Sequence, residues 1–308
     1  MEPFDKEEMR QDFGKLGWAL IASQLLLLFL TMVGGYAGSA LLRLFSPLRG
    51  TWPQLQGWII IFSVLAGVLP MLALGAGNDR LNRIVDRGEK VWPVQLVFYF
   101  LLILGLQMLV TVICSPIVGI LESIGFSFGA ASDAATSFSD APSMLFYSIA
   151  VAPICEEVVY RGALLRYLER YGRWFAIFMS ALVFALMHGN AVQMPIALVI
   201  GLVFGYLALR HSIQLTILLH VFNNLFVELI GRLEALSETL GAMVNGALML
   251  AGLLTLILML LSGGKPLVRD LRANKTPREV YKSFFTSGPM AVIFLYMLSM
   301  TVASVIGG

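Results

Sequence analysis

Apolar residues in this chain come in long, nearly unbroken blocks, and that grouping leaves few folds open. Nine blocks lie at about 16–42, 55–77, 92–121, 143–165, 174–189, 191–210, 212–231, 240–262 and 285–307, separated by short gaps. About 20 helical residues at 1.5 Å each cross roughly 30 Å of hydrocarbon. Lipid offers no partner to a free backbone N–H or C=O, so blocks of this kind must be helical. The composition agrees: 58% of residues are hydrophobic and 13% charged, against about a quarter charged in a soluble domain. The expectation is an all-α polytopic membrane bundle of eight or nine transmembrane helices with its active site inside. Residues 1–15 are expected to form a cytoplasmic N-terminal tail, and residues 16–308 a single membrane domain.

Three blocks are irregular. The block at 174–189 is short, that at 92–121 contains Pro116, and the last is interrupted by Gly288 and Pro289. Eighteen of the 21 Lys and Arg residues fall on alternate connecting segments, including 78–91 and a loop at 263–284; only Arg43, Arg49 and Arg232 fall on the others. That asymmetry places the N-terminus in the cytoplasm. A net charge of +2 without a basic run interleaved with aromatics excludes a nucleic-acid partner. Cys114 and Cys155 lie in apolar segments and form no disulfide framework; Cys155 reads as a small hydrophobe. His211, beside Arg210 in a short turn, reads as solvated. The Ser/Ala/Gly-rich 122–142 segment reads as an external loop. The GxxxG spacings Gly34/Gly38 and Gly201/Gly205 read as close helix packing within the chain.

A charge at mid-membrane costs at least ~2.5–3.5 kcal/mol, so each one needs a reason. The exceptions concentrate at 143–230. Glu156 and Glu157 end the apolar run Met144–Cys155, with Arg161 following. His188 closes the run from Trp174, and His220, Asn223 and Asn224 interrupt the run from Ile213. Helical spacing sorts them. Glu157 and Arg161 are four apart with the acid first, the favourable order for an ion pair. Phe184 shares a face with His188, and His220 with Asn224. Glu156 lies about 100° round the helix from Glu157, which leaves Glu156 as the acid free to serve as a general base.

A histidine beside that base could share its water and later protonate a leaving amine. A second histidine and an amide one turn apart could stabilise an oxyanion. These are the parts for water attack on a peptide carbonyl. Two other uses stand beside this one: buried polar residues binding helices together, and a transport path, against which the lack of internal repeats counts. Convergence is a further requirement, because His188 sits at the far end of a short block. Tilt, or a fifth helix that begins below the membrane surface, would bring it to the others.

The motif residues resemble a known family. Glu156-Glu157-Val158-Val159-Tyr160-Arg161 fits EExxxR, Phe184 to His188 fits FxxxH, and His220 to Asn224 fits HxxxN. Together they resemble the CAAX protease and bacteriocin-processing family (CPBP, Abi), which includes the Rce1-type prenyl-protein endopeptidases. The resemblance implies an intramembrane endopeptidase in which Glu156 and His188 activate water and His220 and Asn224 form the oxyanion site. Glu157, Arg161 and Phe184 would support them. It implies a peptide or membrane-associated substrate, lipidated or not, a bilayer as the surroundings, a prokaryotic plasma membrane as the location and no cofactor. Two alternatives remain open: a zinc protease with Glu156, His188 and His220 as ligands, and a non-catalytic bacteriocin-immunity or peptide-binding membrane protein.

Overall fold

The structure, a computed structural model, describes residues 5–44, 50–75, 88–136 and 140–306. Its helices are α1 (Lys6–Leu44), α2 (Trp52–Leu74), α3 (Pro93–Ser123), α4 (Gly129–Thr136), α5 (Pro142–Tyr171), α6 (Arg173–Met187), α7 (Gln193–Arg210), α8 (Ile213–Leu236), α9 (Glu238–Ala273), α10 (Arg278–Thr286) and α11 (Gly288–Ala303). No strand occurs among the described residues. Starts are marked by residues suited to them: Pro93 and Pro142 open α3 and α5, and Ser212 and Ser237 accept from Leu215 N–H and Leu240 N–H to cap α8 and α9.

Seven of these helices, α1, α2, α3, α5, α7, α8 and α9, are long and apolar enough to cross a membrane among the described residues. The α10–α11 pair passes as an eighth span bent by 74°. With α6 this accounts for each apolar block, in the all-α polytopic bundle expected. The α6 helix has only 15 residues, short of the ~20 a span needs. Most of its residues are buried, so protein surrounds it and its length is not set by the bilayer. Leucines such as Leu28, Leu258, Leu261 and Leu295 are exposed instead, as a lipid-facing surface requires.

Two segments differ from expectation. The tail is helical from Lys6 onward, and Met9, Phe13 and Leu16 are in the core against Tyr171, Phe175 and Phe284. Asp12 anchors it, taking a hydrogen bond from Tyr171 Oη at 2.7 Å and pairing with Arg170. The expected 263–284 loop is mostly helix, since α9 continues to Ala273 and α10 follows; Val280 and Phe284, four apart, bury one face of α10. The basic 78–91 segment up to Arg87, and Arg49, lie outside the described residues.

His211 is also corrected. It is 2% exposed, with Nδ1–H donating to the Glu89 carbonyl at 2.8 Å and Nε2 3.0 Å from Tyr99 Oη. The reason is tertiary: residues 88–90 dock on the α7–α8 turn, where Gly88 N–H and Glu89 N–H meet the carbonyls of His211 and Arg210. The 122–142 segment includes α4, whose Ala131 carbonyl accepts from Asn190 Nδ2 at 2.8 Å. Gly201 and Gly205 face Ala181 and Ile177 of α6, and Gly34 and Gly38 face α2, so both GxxxG pairs serve packing within the chain.

Candidate active site

A helical hairpin brings the first two motifs to one cavity. Glu156 and His188 each stand sixteen residues from Gly172, the turn between α5 and α6. The arms are equal in residue number, and both side chains reach one cavity. Gly172 has φ 137°, a conformation L side chains rarely adopt, and a Cβ there would strike Thr276 Oγ1. The convergence requirement is met because α5 is longer than the expected block at 143–165. In the fold, α5 runs on to Tyr171, and α6 begins beneath the site.

Glu157 and Arg161 are 0% and 1% exposed, with Arg161 Nη1 2.9 Å from Glu157 Oε1. Charge holds this pair, because the Arg161 nitrogens lack hydrogen-bond alignment with any partner. Aromatic faces complete the site: Arg161 Cζ lies 4.2 Å from the Phe184 ring centre and 5.4 Å from that of Phe204. Phe184 also meets the rings of His188 and His220 edge-on, at 4.9 and 6.1 Å. It therefore packs between the buried cation and both histidines.

His220, 7% exposed, occupies the space between the two glutamates. Its Nδ1–H donates to Glu157 Oε1 at 3.0 Å, and its Nε2 lies 3.7 Å from Glu156 Oε2. Two carboxylates 100° apart on one helix thus address opposite nitrogens of one ring. Glu157 is more than a partner for Arg161; it also sets the orientation of His220.

Asn224 is placed by a missing donor. In α5 the stretch Tyr147–Val151 is π-helical, so Ala152 N–H reaches back five residues to the Tyr147 carbonyl. The next donor in that register would be residue 153, which is Pro153 and has no N–H. The orphaned Ser148 carbonyl is met by Asn224 Nδ2 at 2.8 Å. One amide hydrogen of Asn224 is thereby committed to holding α8 against α5, and the other is free of that role.

His188 ends α6 with Nδ1–H donating to the Phe184 carbonyl at 2.9 Å. Because a carbonyl only accepts, this fixes the proton on Nδ1 and leaves the Nε2 lone pair available. Glu156, His188, His220 and Asn224 all line one cavity of about 520 Å³, whose other walls include Gln107, Gln193 and Glu228. Sequence reasoning missed Gln107 and Glu228. Gln107 Nε2 donates to Asn223 Oδ1 at 2.8 Å; a lone amide inside an apolar block was its signal. Glu228, paired with Arg232, lies four residues beyond Asn224 on the same face. The use of the Ser148 backbone had no side-chain signal, although Pro153 foreshadowed it.

Among the described residues, no three His, Cys, Asp or Glu side chains gather closely enough to hold one metal ion. Nδ1–H of His188 and of His220 donate to the Phe184 carbonyl and to Glu157 Oε1, which leaves Nε2 of each ring facing the cavity side.

The segment that holds this geometry has a match among protein families. Residues 138–226 match the family described as type II CAAX prenyl endopeptidase Rce1-like. The chain carries an Rce1-like segment. No curated protein and no solved structure gives a match. The Rce1-like segment begins just before α5 and ends within α8. It therefore contains every motif residue, while α1, α2, α3, α9, α10 and α11 lie outside it and enclose it.

Proposed function

We propose that this chain is an intramembrane endopeptidase that cleaves a peptide bond with water activated by Glu156 and His188. The observation that carries this reading is the single cavity lined by Glu156, His188, His220 and Asn224 within a segment matching a family of endopeptidases. The water oxygen adds to the peptide carbonyl carbon as one of its protons moves to Glu156. The resulting oxyanion accepts from His220 Nε2–H and from the remaining Asn224 Nδ2–H. The C–N bond then breaks as the proton passes, through His188 Nε2, to the leaving amine. One product keeps the new carboxyl group, with water's oxygen and second proton, and the other the amine.

His220 can donate from Nε2 only when its ring is doubly protonated, because Nδ1–H is held by Glu157. No metal is assigned to this reaction. The substrate class is a peptide or membrane-associated protein, with or without a lipid anchor, presented from the bilayer. The protein itself is assigned to a prokaryotic plasma membrane with its N-terminus in the cytoplasm.

The test is peptide mass spectrometry of membranes bearing the wild type or His188→Ala. Cleavage should occur close to a C-terminus or just past a membrane-embedded segment, because the site admits only a short extended stretch of backbone. It should disappear in a folded His188→Ala variant. Identical peptide profiles from both would overturn the proposal.

A further inference from the structure

Glu156 lines two cavities. Beside the one shared with His188, a second of about 200 Å³ lies between α1, α2 and α5. Its walls are largely apolar, from Leu20 and Leu27 to Val64 and Val68, yet Ser23, Gln24, Tyr147, Glu156 and Tyr160 also line it. Ser23 is 7% exposed and its hydroxyl has no hydrogen-bond partner in the protein. Hydroxyls inside other helices of the bundle behave differently: Ser63 in α2, Thr255 in α9 and Thr301 in α11 each return theirs to the carbonyl four residues back. Forgoing that bond on the wall of a cavity that also carries Gln24, Tyr147, Glu156 and Tyr160 marks Ser23 as a group placed to meet something there.

Water fits that place. A buried site holds water when it is roomy and offers two to four polar partners. At roughly 30 Å³ per molecule, the second cavity has room for several. A peptide filling the first cavity expels water from it, and the lipid-facing helices supply none. Hydrolysis in such a site needs its water from a direction the peptide does not block.

We infer that the α1–α2–α5 cavity is a water chamber that feeds the hydrolytic water to Glu156 from the face opposite the peptide. Ser23 is a positioning residue in it, holding water and touching no substrate. The inference rests on Glu156 being the base that receives the water.

Two measurements on the full chain in lipid nanodiscs test it. First, Ser23→Cys and Leu25→Cys are made separately in a Cys114→Ala, Cys155→Ala background and treated with methanethiosulfonate ethylammonium. Leu25, two residues on and 61% exposed, faces away from the chamber and serves as the lipid-side control. Because the reagent needs a thiolate, which forms only where water reaches, Ser23→Cys should react at least about tenfold faster. Equal rates would overturn the chamber. Second, Ser23→Leu, which fills the space, should lower kcat about tenfold with KM unchanged, while Ser23→Ala keeps most activity. A folded Ser23→Leu with wild-type kcat would refute the supply role. Should the wild type cleave nothing, the endopeptidase reading fails, and the labelling rates still decide whether the chamber holds water.

Discussion

Glu157 holds Nδ1 of His220 at 3.0 Å, so the acid that neutralises Arg161 is also the one that aims the histidine at Glu156. The two adjacent glutamates therefore have separable duties. Glu156→Gln should leave thermal unfolding in detergent nearly unchanged and lower turnover by about 10² or more, the scale for losing a general base. Glu157→Gln strands Arg161 and releases His220. Breaking one side of such a buried pair costs ~3–5 kcal/mol, so lost stability should come first. A stable but inactive Glu157→Gln beside an active Glu156→Gln would show that the base is the other carboxylate.

Asn224 and Pro153 are linked through the Ser148 carbonyl, which gives the amide a structural role that can be separated from its proposed oxyanion role. Asn224→Ala should cost about 1–3 kcal/mol of stability by leaving that buried acceptor unmet, and should lower turnover as well. Adding Pro153→Ala restores a backbone donor, so stability should recover while turnover stays low. Recovery of both would mean that Asn224 serves only to join α5 and α8.

Gly172 forms the turn of the α5–α6 hairpin. Gly172→Ala must force a side chain into a left-handed backbone and against Thr276, with a stability loss of about 1–3 kcal/mol. Removing the clash alone with Thr276→Ala should not restore the variant, because the backbone strain remains. Unfolding curves of the single and double variants read this directly; full rescue would show that the clash dominates.

Purified protein should contain no stoichiometric zinc, and chelation should leave cleavage unchanged. Activity lost to a chelator and restored by zinc would replace the water-activating carboxylate with a metal centre.

The sequence was enough for the class of fold, because apolar blocks of membrane-spanning length permit only helices. It was also enough for the motif residues, because a charge in such a block is too costly to be incidental. Helical spacing identified the Glu157–Arg161 pair, since four residues make one turn whatever surrounds them. Spacing could not say where separate helices meet. The meeting of Glu156 and His188 at one cavity depends on α5 continuing to Tyr171, and the burial of His211 depends on a stretch of chain more than a hundred residues earlier. Residues 6–15 look like a polar tail, but Phe13 and Asp12 are captured by Tyr171, Phe175 and Arg170. His220 shows the limit most clearly. Which carboxylate holds which ring nitrogen is a matter of ångströms between α5 and α8, and only packing across helices decides it.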